Sequence, residues 1–169
     1  MKFTYCPDCG KKLTEKEIGD EGLVPYCPEC GRPWFALSYT CTITLVVNEE
    51  NEIALIRQGY VSETNYVCIA GYMKPGESGE TTAAREVEEE LGLKPYKITY
   101  VNSYPFERKD MLMLGFTARV KKADFHISQE VDKAEWFTYQ EAVEKLRPGS
   151  IAQQLCMEGY CMIEKECGI

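Results

Sequence analysis

Residues 71–93 read GYMKPGESGETTAAREVEEELGL, and this stretch decides the fold of the chain. Ser78 carries a side chain suited to cap a helix N-terminus, and Gly92 suits the position just after a helix C-terminus. These two residues predict a helix from about Gly79 to Leu91. The stretch therefore predicts a glycine-containing loop that runs into one short helix.

Carboxylates crowd one face of this predicted helix. Glu86, Glu89 and Glu90 are spaced i, i+3 and i+4, which places them on one side at about 100° per residue. The simplest alternative is a solvated acidic face, but like charges at this spacing destabilise an isolated helix by about 0.2–0.5 kcal/mol per pair. Mg²⁺ or Mn²⁺ would reverse that effect, because both ions take oxygen ligands from carboxylates and substrate phosphates. Arg85 can brace the array by pairing with Glu89, and Glu77 can orient the loop.

The same stretch resembles the Nudix box, the signature of enzymes that hydrolyse nucleoside diphosphates linked to another moiety. The residues that carry the resemblance are Gly71, Glu77, Arg85, Glu86, Val87, Glu89, Glu90, Gly92 and Leu93. The resemblance implies the α/β fold of that family, an α/β/α sandwich with a mixed sheet. It also implies that Glu86, Glu89 and Glu90 are catalytic residues that bind Mg²⁺ or Mn²⁺. By resemblance to the NADH pyrophosphatase subgroup of the family, the backbone carbonyl of Ala70 is a further metal ligand.

Two Cys-x-x-Cys motifs precede the box, each followed by glycine. They comprise Cys6 and Cys9 in CPDCG, and Cys27 and Cys30 in CPECG, with 17 residues between the motifs. This spacing predicts four thiolates around a structural Zn²⁺, whose closed tetrahedral site leaves no position for chemistry. The alternative is a pair of disulfides, which a reducing cytosol disfavours. The chain is therefore expected to hold a zinc ribbon at residues 1–33 and a Nudix hydrolase domain at residues 34–169.

The remaining pattern predicts strands interleaved with helices, and hence a mixed sheet covered on both faces. Alternation of β-branched residues predicts a strand at 39–47, and a turn leads to its hairpin partner at 52–58. Further strands are expected at 97–103, 111–120 and 135–137. A capping box of Thr138 and Glu141 predicts a helix to about Leu146, and Ser150 caps another helix to about Glu158.

Two features outside the box are similar to the bacterial NADH pyrophosphatases. One is the order of a four-cysteine ribbon followed by the box, and the other is the run from Glu130 to Leu155, EVDKAEWFTYQEA…RPGSIAQQL. By this resemblance Glu130 is a further catalytic carboxylate, Ala152 contacts substrate, and Tyr72 is an aromatic platform beside the nucleotide.

The segment after the box departs from the same subgroup. Those enzymes carry Ser-Gln-Pro-Trp-Pro-Phe-Pro in their dinucleotide pocket, whereas this chain reads Asn-Ser-Tyr-Pro-Phe-Glu at residues 102–107. Tyr104 and Phe106 are candidate substrate contacts at these positions, with core packing as the alternative. This departure leaves open whether NAD(H) is preferred over related substrates.

Composition narrows the functional classes. The chain has 169 residues, 44% of them hydrophobic, and a formal net charge of −8, which argues against extended nucleic acid binding but leaves capped RNA ends open. It begins without an apolar signal segment and has no run of roughly 18 apolar residues, so a cytoplasmic protein with no membrane partner is expected. The oligomeric state is left open, with a homodimer among the alternatives.

The resemblance to the Nudix box and to the NADH pyrophosphatases implies hydrolysis of the diphosphate bond in NAD(H) or a near relative such as ADP-ribose. A divalent metal would activate water, and Glu90 or Glu130 would accept its proton. One alternative is the same mechanism on another nucleoside diphosphate or triphosphate. The other is a non-catalytic nucleotide-sensing or RNA-binding regulator, in which the ribbon recruits a partner.

Overall fold

The computed structural model describes residues 3–59, 62 and 64–167, with the side chains of residues 166 and 167 left aside. Residues 1–2 of the predicted ribbon and residues 168–169 of the predicted second domain therefore lie outside the described residues. No helix in the described part of the chain is long and apolar enough to cross a membrane.

Two compact units make up the chain. The first contains the residues up to Tyr39 together with Arg108–Asp110, and the second contains the remainder. The backbone N–H of Tyr39 donates to the carbonyl oxygen of Asp110 at 2.8 Å within the first unit. The domain boundary between residues 33 and 34 stays a prediction.

The first unit is a small antiparallel sheet. Its strands are β1 (Thr14–Glu17), β2 (Leu23–Cys27) and β3 (Arg32–Pro33), with β2 in the middle. Among its described residues only Cys6, Val24 and Cys27 are buried apolar side chains. So small a core supplies little stability, and units of this kind usually need a metal or a disulfide.

The second unit is built on a six-stranded sheet. Its strands are β4 (Tyr39–Val47, of which the first residue belongs to the first unit), β5 (Ile53–Arg57), β6 (Ile69–Tyr72), β7 (Lys97–Phe106), β8 (Met111–Arg119) and β9 (Lys133–Phe137). The spatial order is β7-β8-β4-β5-β9, and β6 also pairs with β4. The strand predicted at 39–47 and its hairpin with β5 are confirmed.

Within the described residues, three α-helices cover this sheet: α1 (Gly79–Leu91), α2 (Tyr139–Lys145) and α3 (Ile151–Cys167). Val87 and Leu91 of α1 pack in one buried cluster with Val46 of β4, whereas Ala142 of α2 and Leu155 of α3 belong to another. Leu45 and Val46 of β4 belong to different clusters, so both faces of this strand are buried. The alternation of residue types along β4 therefore does not separate a buried face from a solvent-facing one. The predicted α/β/α sandwich is confirmed.

The bounds of α1 match the prediction because both of its ends are capped as expected. The Ser78 hydroxyl accepts from the backbone N–H of Thr81 at 3.2 Å. At the other end, the N–H of Gly92 donates to the carbonyl oxygen of Glu88 at 3.0 Å. The predicted capping box at the start of α2 is also confirmed.

Two predicted bounds were wrong by three residues or more, and β9 begins at Lys133, two residues before its predicted start. The last helix was expected to end near Glu158, before Gly159, yet α3 continues to Cys167. A Cβ at residue 159 would lie 2.9 Å from Thr117 Cγ2, so this glycine lets the helix approach the sheet closely instead of ending it. The strand predicted to end at residue 103 runs on through Pro105, which β7 tolerates because it is an edge strand.

Candidate active site

The three predicted metal-binding glutamates lie on α1 at different depths. Residue Glu90 is 5% exposed, whereas the side chain of Glu86 is 13% exposed and that of Glu89 is 52% exposed. The helical period explains this order, because these positions lie roughly 60°, 100° and 160° from the apolar stripe centred on Val87. One face therefore presents one buried, one half-buried and one exposed carboxylate.

The guanidinium of Arg85 organises this acidic face. Its Nε and Nη2 donate to the two oxygens of Glu77 at 2.8 and 3.0 Å, and Nη1 donates to Glu86 Oε1 at 2.6 Å and Glu89 Oε2 at 3.0 Å. A further Nη2 bond reaches the carbonyl oxygen of Tyr72 at 3.1 Å. The predicted pair with Glu89 is thus confirmed, and all five N–H groups of the guanidinium are used. The guanidinium thus faces three carboxylates, and Lys74 Nζ also lies 3.8 Å from Glu89 Oε1.

The carboxylate of Glu77 fixes the loop before α1. Besides the Arg85 guanidinium, it accepts the backbone N–H of Lys74 at 3.0 Å and the hydroxyl of Thr82 at 2.8 Å. The bonds from Arg85 are the main reason that the pKa of Glu77 falls to about 2. This carboxylate is therefore engaged in holding the loop against the helix.

The carboxylate of Glu90 is only half satisfied. Its Oε1 accepts from the Nε2 of Gln58 at 3.1 Å, and its buried Oε2 has no hydrogen-bond partner among the described residues. Burial raises the pKa of Glu90 to about 7; the Gln58 bond opposes this rise, and the charges of Glu86, Glu130 and Glu89 add to it. A buried carboxylate oxygen without a partner is costly unless a cation or a proton meets it.

Strand β6 approaches the acidic face closely. A Cβ at Gly71 would overlap the Glu86 carboxyl, so only glycine allows this carboxylate to lie against the strand. Residue Ala70 precedes this glycine and pairs with Ile43 of β4, which places its backbone next to the same region. The side chain of Tyr72 is exposed at the end of β6.

Residue Glu130 is exposed and lies in the loop before β9, close enough to influence the Glu90 carboxyl. Its backbone N–H donates to the hydroxyl of Ser128 at 3.3 Å, and the N–H of Ser128 donates to the carbonyl oxygen of Glu90 at 3.4 Å. The structure thus brings the loop of Glu130 to the C-terminal part of α1.

The other predicted substrate contacts lie elsewhere. Tyr104 is 4% exposed in the cluster with α2 and α3, and its hydroxyl donates to Glu158 Oε2 at 2.7 Å. Ala152 is half-buried against the same cluster, and Phe106 is half-buried at the end of β7. Tyr104 and Ala152 therefore lie on the face of the sheet opposite α1, and their roles toward substrate stay predictions.

The four predicted zinc ligands come together. The Sγ atoms of Cys6, Cys9, Cys27 and Cys30 all lie within 4.8 Å of one another. The separation is 3.8 Å between Cys6 and Cys30 and 3.5 Å between Cys9 and Cys27. A tetrahedral site with Zn–S bonds of about 2.3 Å requires S–S separations of roughly 3.8 Å. The four thiols could therefore hold a metal ion such as zinc.

Sequence reasoning missed Gln58, which is 6% exposed and touches Glu90. The residue follows β5 and continues the register of Ala54 and Ile56, both of which pack in the cluster with α1. A glutamine at the next position of an apolar alternation could have been noticed in the sequence as a candidate buried polar residue. The sequence does not show, however, that its partner lies 32 residues away.

The family model described as NUDIX domain matches residues 39–155. Nudix hydrolase 19, chloroplastic, from Arabidopsis thaliana is 31% identical over 149 residues, which are 84% of this chain and 34% of that protein. NAD-capped RNA hydrolase NudC from Escherichia coli is 28% identical over 163 residues, which are 96% of this chain and 62% of that protein.

A solved structure shares the fold. The crystal structure of a NUDIX hydrolase from Nitrosomonas europaea aligns with a TM-score of 0.72 and 20% identity, covering 99% of this chain and 94% of that chain. This chain spans about a third of the plant relative and less than two thirds of the bacterial one.

Proposed function

Because this chain belongs to the Nudix family, we propose that it is a metal-dependent hydrolase of the diphosphate bond in NAD(H) or a related nucleoside diphosphate derivative such as ADP-ribose. The observation that carries the proposal is the buried Oε2 of Glu90, which has no partner among the described residues although Glu86, Glu89 and Glu130 surround it with negative charge. A hard divalent cation suits such an oxygen.

The donor set fits Mg²⁺ or Mn²⁺. Glu86, Glu89 and Glu90 supply carboxylate oxygens, and the carbonyl oxygen of Ala70 is the backbone ligand that we assign. Arg85 donates to one oxygen of Glu86 and to one oxygen of Glu89, which limits the rotation of both carboxylates. The second oxygen of each carboxylate receives no hydrogen bond from Arg85. Such oxygen ligands are the kind that these two ions prefer.

A bound divalent ion would neutralise phosphate oxygens and lower the pKa of a coordinated water. The side chains of the protein would accept the proton and hold the site in place. Glu90 or Glu130 accepts the proton of the attacking water. Both carboxylates lie near the C-terminal part of α1, close enough for the charge of Glu130 to raise the pKa of Glu90. Arg85 and Glu77 keep the loop and the acidic face in place during the reaction.

The substrate class comes from the relatives and from the exposed surface beside the acidic face. The bacterial relative carries the name NAD-capped RNA hydrolase, which makes NAD(H) and an NAD-capped RNA end the first substrates to test. Tyr72 lies exposed at the end of β6, next to the strand residue that contacts Glu86, and we assign it to stacking on the nucleotide base.

A second candidate keeps the mechanism and changes the substrate. Tyr104 replaces the aromatic segment of the NADH pyrophosphatases, and its ring is 4% exposed in the core with its hydroxyl bound to Glu158. A ring held there is poorly placed to stack on a dinucleotide. This observation favours another nucleoside diphosphate or triphosphate as the alternative substrate.

We assign a structural Zn²⁺ to Cys6, Cys9, Cys27 and Cys30. The support is the mutual distance of their Sγ atoms and the small apolar core of the first unit. A four-thiolate site has no open position, so this ion would stabilise the unit and take no part in hydrolysis.

A substrate panel tests the proposal. The purified protein is assayed with Mg²⁺ or Mn²⁺ on NADH, NAD⁺, ADP-ribose, diadenosine polyphosphates and NAD-capped RNA, with the Glu89→Gln variant as the inactive control. Turnover of NAD(H), ADP-ribose or NAD-capped RNA supports the first candidate, and turnover of the others alone supports the second. Nucleotide binding without turnover of any compound would refute both and favour a regulator.

A further inference from the structure

Among the described residues, Gln58 alone donates a hydrogen bond to the Glu90 carboxyl. Both residues are more than nine-tenths buried, and the Nε2 to Oε1 distance is 3.1 Å. Of the two polar atoms of an amide, only the nitrogen can donate to an ionised carboxylate. Gln58 therefore occupies Oε1 and leaves Oε2 as the oxygen available to a ligand.

This bond matters because a glutamate carboxyl is poorly oriented by its own torsions. The terminal torsion of glutamate is broad and roughly two-fold, so burial alone does not choose which way the carboxyl plane turns. The bonds from Arg85 orient Glu86 and Glu89, but none of them reaches Glu90. The orientation of Glu90 depends on Gln58.

The backbone around Gln58 is anchored independently of its side chain. The N–H of Gly59 donates to Asp132 Oδ2 at 2.6 Å, and the N–H of Asp132 donates to the carbonyl oxygen of Arg57 at 2.9 Å. The carbonyl oxygen of Gln58 also accepts from the N–H of Ser62 at 3.0 Å. A change confined to the side chain should therefore leave the segment in place.

We propose that Gln58 is a positioning residue that turns the free oxygen of Glu90 toward the divalent cation. The inference rests on the proposed function, because it requires that Glu90 binds the ion. Residues that hydrogen-bond a metal ligand typically change metal affinity about 10- to 100-fold when they are replaced.

The test is the Gln58→Met variant, which keeps an unbranched side chain of similar length and removes the donor. Calorimetric titration with Mn²⁺ in the absence of substrate should show binding at least about tenfold weaker than in the wild type. The Mn²⁺ concentration for half-maximal hydrolysis should rise by a similar factor, while kcat at saturating Mn²⁺ changes much less. Gln140→Met, at an exposed position of α2, is the matched control and should bind Mn²⁺ as the wild type does.

Each outcome decides the question. If Gln58→Met binds Mn²⁺ as tightly as the wild type while Glu90→Gln does not, the positioning role is wrong and the proposed function stands. A lower melting temperature with unchanged Mn²⁺ affinity would likewise mean a structural role only. If the wild type neither binds Mn²⁺ nor hydrolyses any substrate, the proposed function fails and this inference fails with it. Gln58→Leu replaces the methionine variant if that variant does not fold.

Discussion

Replacing Gly71 with alanine tests how closely the strand and the acidic face must approach. The added Cβ would overlap the carboxyl of Glu86, which is the far end of a flexible side chain. The backbone of Gly71 is not in the left-handed region, so the substitution introduces no conformational strain of its own. Gly71→Ala should therefore act by displacing the Glu86 carboxyl.

The size of the effect follows from what that carboxyl does. Relief of the overlap requires a shift of more than about 1 Å, because non-bonded carbon atoms pack at roughly 3.5–4 Å. Such a shift breaks the 2.6 Å bond between Arg85 and Glu86, both of whose side chains are less than one-fifth exposed. The loss should cost about 1–2 kcal/mol of unfolding free energy, since the displaced carboxylate regains water. For a chain of this size that is a fall of about 2–8 °C in melting temperature.

Hydrolysis should suffer more than stability. Metal–ligand distances tolerate only about 0.2 Å, and a misplacement near 1 Å can cost about 100-fold in rate. We therefore expect Gly71→Ala to lower kcat/KM by about 100-fold and to weaken Mn²⁺ binding, while the protein stays folded at room temperature.

A double-mutant cycle identifies the cause. Urea denaturation should show that Gly71→Ala costs about 1–2 kcal/mol in the wild type and almost nothing when Glu86 is already alanine, because the carboxyl that it would meet is gone. Glu88→Ala is the matched control, since Glu88 is an exposed glutamate of the same helix and should leave the full cost in place. Equal costs in the two alanine backgrounds would refute the reasoning.

Two further predictions concern the two metal sites. Glu89→Gln should lower kcat by several powers of ten and shift the melting temperature by no more than about 2 °C, because the Glu89 side chain is 52% exposed and an exposed ion pair contributes little. Wild-type activity of this variant would remove the assigned role. Stripping zinc with a chelator, or replacing Cys27 with serine, should lower the melting temperature more than it changes kcat on a short dinucleotide substrate. An unshifted thermal transition after zinc loss verified by metal analysis would contradict a structural zinc site.

Local chemistry made much of the fold predictable from the sequence. Helix α1 is bounded by a hydroxyl cap at Ser78 and a glycine at residue 92, and each acts within a few residues of its own position. The hairpin of β4 and β5 follows from alternation and a polar turn. The glycines that follow the two cysteine motifs, Gly10 and Gly31, both have positive φ, which explains their presence in the sequence.

Features that depend on tertiary contacts were not predictable in the same way. The last helix was expected to end near Glu158, yet α3 continues to Cys167, and a Cβ at Gly159 would lie only 2.9 Å from Thr117 Cγ2 of the sheet. Tyr104 was a candidate substrate contact with core packing as the alternative, and the contact with Glu158 that holds it in the core forms across 54 positions of the chain. In both cases the deciding neighbour is remote in sequence, so a local pattern cannot identify it.

The sequence shows the three carboxylates of the acidic face but does not show which of their oxygens are already hydrogen-bonded. Repulsion among Glu86, Glu89 and Glu90 does not by itself require a metal ion, because Arg85 already bonds to two of the three. What this guanidinium cannot reach is the buried Oε2 of Glu90, which has no partner among the described residues. The case for a divalent cation therefore rests on that one oxygen, and the variants that isolate it, at Gln58 and at Glu90 itself, test the function most directly.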